Sequence, residues 1–161
     1  MSIIKAIKKS FVEKEKKGFK YLYYFFDIHG TILKPNYQYG NTPKEFYPYA
    51  KETLKLLSGL SDIVMCLYTC SHPNEIDEYL KLFESEGIYF KYVNENPEVP
   101  TAINGYGCYD SKPYMNVLFE DKSGFSGEED WLPVLTLLKE IVWPQDTTFW
   151  CVSNQWCKIC D

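Results

Sequence analysis

The chain has 161 residues, 45% hydrophobic and 24% charged, with a formal net charge of -5 at pH 7 and a pI near 5.1. That size and balance fit one globular domain with a proper core, and the acidic excess excludes a general nucleic-acid binding surface, which needs Lys and Arg in surplus on one face. No apolar run approaches the roughly 20 residues that span a bilayer and no signal-peptide pattern opens the chain, so the expectation is a cytoplasmic protein without a membrane span, acting on something small.

Residues 1–17 place Ile3, Ile4, Ile7 and Phe11 at helical spacing, with Lys5, Lys8, Lys9, Lys14, Lys16 and Lys17 between them. This predicts an amphipathic helix, occupying residues 1–20 with its connection, whose apolar stripe packs on the domain. A basic helix can also lie on an anionic membrane or grip a partner; packing is the favoured reading. Tyr21 to Phe26 is wholly aromatic or aliphatic, as in a strand buried on both faces of a parallel sheet. It runs into Asp27-Ile28-His29-Gly30-Thr31. Ligands of open α/β sheets bind at the carboxyl ends of strands, Gly30 permits a tight turn there, and the Thr31 hydroxyl can bond the turn or a ligand. The competing reading is an Asx-type turn without chemistry.

Lys34 to Asn41 reads as a loop, and Thr42-Pro43-Lys44-Glu45 as an N-cap with Pro in the first turn, opening a helix that runs to about Ser58 and stops at Gly59. Asp62 to Thr69 is a second apolar strand, ending in a hydroxyl residue. A helix over Pro73 to Glu86 carries Ile76, Tyr79, Leu80 and Phe83 on one face, Gly87 ends it, and Ile88 to Val93 is a short strand. Strand and helix in alternation imply right-handed crossovers and a parallel sheet. A loop from Asn94 to Asp110, in which Gly105, Tyr106 and Gly107 could shape a pocket mouth, precedes Ser111-Lys112-Pro113. Tyr114 to Phe119 is another strand, ending in Glu120-Asp121, and Glu128 to Val142 a helix through Trp131, Leu132, Leu135, Leu138 and Ile141. Residues 21–142 thus form the domain and 143–161 a tail. The tail's Cys151, Cys157 and Cys160 supply too few ligands for a zinc site, and reduced thiols are expected.

In their order these residues resemble the motifs of the haloacid dehalogenase-like phosphohydrolases: Asp27-Ile28-His29-Gly30-Thr31 the first, Thr69 the second, Lys112 the third and Glu120-Asp121 the acidic fourth. Thr69-Cys70, Asn94-Glu95-Asn96-Pro97 and Lys112-Pro113-Tyr114 are similar to stretches of small, capless bacterial and phage members. The resemblance implies a Rossmann-like three-layer α/β/α sandwich with a central, mostly parallel sheet. It implies a Mg2+-dependent phosphatase acting on a small phosphorylated substrate, with Asp27 as nucleophile forming an aspartyl-phosphate. Mg2+ would be held by Asp27, Asp121 and the main-chain carbonyl of His29, with Glu120 orienting metal-bound water or exchanging roles with Asp121. Thr69 would hydrogen-bond the phosphoryl oxygens, and Lys112 would hold the Asp27 carboxylate.

At position 29 the family carries the aspartate that protonates the leaving group and then activates water. An imidazole can do both near neutral pH, and neighbouring phosphate and carboxylates are expected to favour its protonated form. The alternatives are a turn residue facing solvent, or a catalytically weak fold that binds a phosphorylated ligand or a protein partner. Ser71, followed by His72, stands where an Arg commonly follows Thr-Cys, and no large cap is inserted, so only Lys34 to Tyr49 is left to cover the site. Tyr37, Tyr39, Tyr47 and Tyr49 within it could stack on a substrate ring, although packing is their favoured role.

Overall fold

The structure, a computed structural model, describes residues 3–36, 40–102 and 107–143. The strands are β1 (Leu22–Phe26), β2 (Ile63–Leu67), β3 (Tyr92–Val93) and β4 (Val117–Phe119). The α-helices are α1 (Ile3–Lys17), α2 (Ala50–Ser58), α3 (Pro73–Ser85) and α4 (Trp131–Val142). The sheet is four-stranded and all parallel, in the order β3-β2-β1-β4.

Every residue of β1 and β2 is buried, which accounts for their unbroken apolar composition: a central parallel strand has no solvent face. Side chains alternate between two different environments. Leu22, Tyr24 and Phe26 of β1 and Ile63, Met65 and Leu67 of β2 enter a core shared with Ile7 of α1, Leu54 of α2, Phe83 of α3 and Trp131 of α4. Tyr23, Phe25, Val64 and Cys66 point the other way and are covered by Val99, Tyr114 and Met115, from the connection between β3 and β4. The fold is therefore Rossmann-like and of the three-layer α/β class, with helices forming one outer layer and a long connection most of the other.

The amino-terminal helix packs as expected, with Ile7 fully buried and Ser10 Oγ 2.8 Å from the buried Tyr24 hydroxyl. Helix α2, by contrast, begins at Ala50 and not behind Thr42. Residues 45–47 instead return beside the first turn, where Lys34 N–H donates to the Glu45 carbonyl and Tyr47 N–H to that of Ile32. The Thr42 hydroxyl donates to Glu78 at 2.8 Å and caps nothing. In α4, Leu132 is exposed, while Val134 and Leu137 join Trp131, Leu135 and Leu138 inside. The cysteine tail, Tyr37, Tyr39, Gly105 and Tyr106 lie outside the described residues; no described helix is long and apolar enough to cross a membrane.

Candidate functional site

Parallel pairing brings the carboxyl ends of three strands to one edge of the sheet, with Phe26 of β1 opposite Leu67 of β2 on one side and Phe119 of β4 on the other. The next residues in the chain leave the ladder there. Asp27 N–H still donates to the Phe119 carbonyl at 2.9 Å, fixing the start of the first turn against β4. The turn then closes on itself through Ile32 and Leu33 N–H, which both donate to the Ile28 carbonyl.

Carboxylate oxygens of Asp27, Glu120 and Asp121 all lie within 4.8 Å of one another. Two features bind the first turn to the acidic pair. Asp121 N–H donates to the buried Thr31 hydroxyl at 3.1 Å, and the Trp131 indole N–H anchors the Thr31 carbonyl at 2.8 Å. Gly30 has φ +80°, and a Cβ placed on it would stand 2.6 Å from Asp121 Oδ2. Only glycine allows both that backbone and that approach. Burial foremost, then the Glu120 and Asp121 charges, push the Asp27 carboxyl up to about 7, opposed by the Ile28 backbone N–H and by Lys122. Burial and the Asp121 carboxyl raise Glu120 as well. With one carboxylate oxygen each, these three residues could together hold a metal ion.

His29 is half-buried rather than facing solvent, and its Nε2 lies 2.8 Å from the hydroxyl of Tyr79, a residue 1% exposed on α3. The rings meet edge to face with centroids 5.4 Å apart. Burial lowers the imidazole's pKa more than Glu75 raises it. Tyr79 was legible only as a core position of α3; the signal for more was its hydroxyl, since a buried phenol needs a partner.

Thr69, 7% exposed, sits two residues beyond β2 at the same edge. Asn94 clamps its backbone from both sides, Oδ1 accepting from Thr69 N–H at 2.8 Å and Nδ2 donating to its carbonyl at 2.7 Å. The Thr69 hydroxyl lies 2.9 Å from that of Ser71 and accepts from Ser71 N–H. Lys112 is exposed and forms no ion pair with Asp27 or any other carboxylate among the described residues. The lysine whose charge acts on Asp27, His29 and Glu120 is Lys122, one residue past the acidic pair on the short 3-10 turn Asp121–Ser123. Among the described tyrosines of the covering segment, Tyr47 packs against the core and Tyr49 is exposed.

No protein-family model matches the chain, and no curated protein matches it significantly. Its structure is similar to that of a conserved protein from Bacteroides thetaiotaomicron, with a TM-score of 0.54 and 21% identity over 84% of this chain and 99% of the other. The likeness is one of fold. It extends the parallel α/β architecture to a second protein of nearly the same extent.

Proposed function

We propose that the protein is a Mg2+-dependent phosphohydrolase of the haloacid dehalogenase-like kind, acting through an aspartyl-phosphate on Asp27. The observation that carries this reading is the convergence of Asp27, Glu120 and Asp121 at the sheet edge where Thr69 also ends its strand. Asp27, Asp121 and Glu120 would hold the metal, together with the His29 carbonyl, which accepts none of the turn's backbone hydrogen bonds. Mg2+ bound there supplies the positive charge that lets a carboxylate approach a phosphate dianion.

In the first half-reaction an Asp27 carboxylate oxygen attacks phosphorus, and the bond to the leaving oxygen breaks with its electron pair on that oxygen. Thr69 orients the phosphoryl oxygens, and Lys122, rather than Lys112, offsets their charge. His29 moves protons through Nδ1, since Nε2 is held by Tyr79. Burial lowers the imidazole's pKa, which favours the neutral ring that can accept a proton from the water cleaving the aspartyl-phosphate, and makes its protonated form the stronger donor to a poor leaving group.

The test is Mg2+-dependent phosphate release from p-nitrophenyl phosphate and from alkyl monoesters between pH 5 and 9. Hydrolysis of p-nitrophenyl phosphate should require Mg2+ and vanish in Asp27→Asn. His29→Ala should lose alkyl esters first and accumulate phosphoenzyme. A second reading, a weakly active fold that binds a phosphorylated ligand, is favoured by the unpaired Lys112 and the tethered His29. It takes over if pure, folded, Mg2+-loaded protein turns over no substrate.

A further inference from the structure

The hydrogen bond between His29 and Tyr79 has a direction, and the surroundings of the phenol fix it. Tyr79 lies on α3 and is 1% exposed, so solvent does not compete for its hydroxyl hydrogen. Its hydrogen-bond partner among the described residues is His29 Nε2, at 2.8 Å. The two carboxylates whose charge reaches the phenol are bonded elsewhere: Glu75 accepts from His72 N–H at 3.0 Å and Glu78 from the Thr42 hydroxyl at 2.8 Å. The phenol is also held in place. Its ring packs on Phe83, with centroids 6.5 Å apart and planes 26° from parallel, and meets the imidazole edge to face. Opposite it, His29 sits in the turn that Ile32 and Leu33 N–H close on the Ile28 carbonyl. A buried O–H without an acceptor is costly, whereas an imidazole nitrogen serves as donor or acceptor. Tyr79 O–H therefore donates to Nε2, and a neutral ring that accepts at Nε2 carries its own proton on Nδ1. Nδ1, the nitrogen left for the reaction, then offers a hydrogen rather than a lone pair. Before it can accept one from water, the ring proton must pass to Nε2 and the phenol hydrogen must turn away from its partner.

We propose that Tyr79 is a positioning residue that holds His29 in the Nδ1–H tautomer and so restrains hydrolysis of the aspartyl-phosphate. The restraint rests on the phosphatase reading; the tautomer does not. General-base catalysis draws on the minor tautomer, in which Nε2–H donates to the Tyr79 oxygen and Nδ1 is bare. There Nδ1 takes one proton of the attacking water as its oxygen bonds to phosphorus, and the bond from phosphorus to the Asp27 oxygen breaks with its electron pair on the carboxylate. Asp27 thus stays phosphorylated longer than an unrestrained imidazole would allow.

The tautomer is read from the imidazole 15N resonances of the full chain at about pH 8, above the ordinary imidazole range. The chain has two histidines, and His72→Asn removes the other one while keeping an N-cap residue. His29 should show a pyrrole-type Nδ1 and a pyridine-type Nε2, and in Tyr79→Phe the pattern should move towards Nε2–H, the form a free histidine side chain prefers. The spectrum with Tyr79 intact does not depend on how the Tyr79 variant folds. The restraint is read in Mg2+ with p-nitrophenyl phosphate, whose leaving group departs without a proton, so that hydrolysis of the phosphoenzyme sets the steady rate. Tyr79→Phe should keep the initial burst of p-nitrophenolate and raise the steady rate about tenfold, the scale of one buried polar hydrogen left unpaired. Lost packing alone would lower that rate. In Tyr79→Phe/His29→Ala the gain should vanish. An Nε2–H ring with Tyr79 intact, a steady rate no higher in Tyr79→Phe, or a gain that survives in the double variant would overturn the proposal. An Nδ1–H ring in a protein with neither burst nor turnover removes the phosphatase reading, and with it the restraint, and leaves Tyr79 setting the tautomer alone.

Discussion

Asp27 is the residue on which the site's electrostatics concentrate. Burial among like charges raises its pKa from 3.8 to about 7, so in metal-free protein the protonated form favours folding. The sign follows directly: this stabilisation is full below about pH 4 and is lost as pH rises through about 7. Its ceiling over that interval is about 4 kcal/mol, which partial solvent access reduces to ~2 kcal/mol. Asp27→Asn keeps the shape and removes the titration. In chelator, the variant should melt ~5 °C above wild type at pH 8, with the gap closing towards pH 4. A gap that does not change with pH would refute this account. The same residue shows what could be read beforehand. Asp27, Thr69, Glu120 and Asp121 stand out because each ends an apolar run, and parallel pairing then gathers strand ends. The state of His29 was not legible, because its carboxylate neighbours are visible in the sequence while its burial under Tyr79 is not. Lys122 was hidden for the opposite reason: charge at a turn is common, and only the fold turns it towards Asp27.

Helices α1 and α3 begin within two residues of their expected starts because local periodicity and tertiary packing agree there. At α3, Glu75 accepts from the His72 N–H at 3.0 Å, a capping interaction that reinforces Pro73. Helix α2 starts late because the strong local signal at Thr42-Pro43 loses to pairing of residues 45–47 with the first turn; the chain then enters the helix through Tyr49 at φ 65°. Strand β3 spans two residues rather than the expected Ile88–Val93; backbone pairing fastens it to β2, with Lys91 and Asn94 N–H donating to the Met65 and Leu67 carbonyls, and the Asn94 side chain adds two hydrogen bonds to Thr69 just beyond β2. Asn94 has φ 58°, a conformation Asn tolerates better than most residues. Two substitutions separate its roles. Asn94→Gly keeps the backbone and loses both side-chain hydrogen bonds, which should cost ~1–2 kcal/mol in denaturant melts. Asn94→Ala adds left-handed strain and should cost about 1 kcal/mol more. If both were neutral, the clamp would have no part in holding Thr69 at the sheet edge.

At the scale of the molecule, the two faces of the sheet are closed by different means. Helices seal one face with a large apolar cluster, whereas the other, with Tyr23, Phe25, Val64 and Cys66, depends on the connection between β3 and β4. Among the described residues, that connection is fastened at Glu98. Tyr23 and Tyr92 hydroxyls donate to its two carboxylate oxygens at 2.9 Å each, and Lys91 pairs with it. The Lys91 partner, and then the two hydroxyls, hold the Glu98 carboxyl below its usual range against some burial. A depressed pKa contributes stability above the unfolded-state value and loses it as pH falls through the folded one, so this fastening should slacken only in acid. The helix-sealed face has no such dependence on one carboxylate. Glu98→Gln should therefore raise hydrogen exchange in the described parts of 94–116 at neutral pH while β1 and β2, buried throughout, stay protected. Wild type should approach the same pattern once acidification passes below the usual glutamate range, as the lowered pKa of Glu98 requires. Uniform loss of protection across both faces would mean that the connection and the helical core unfold as one unit, and that Glu98 fastens the whole molecule rather than one side of it.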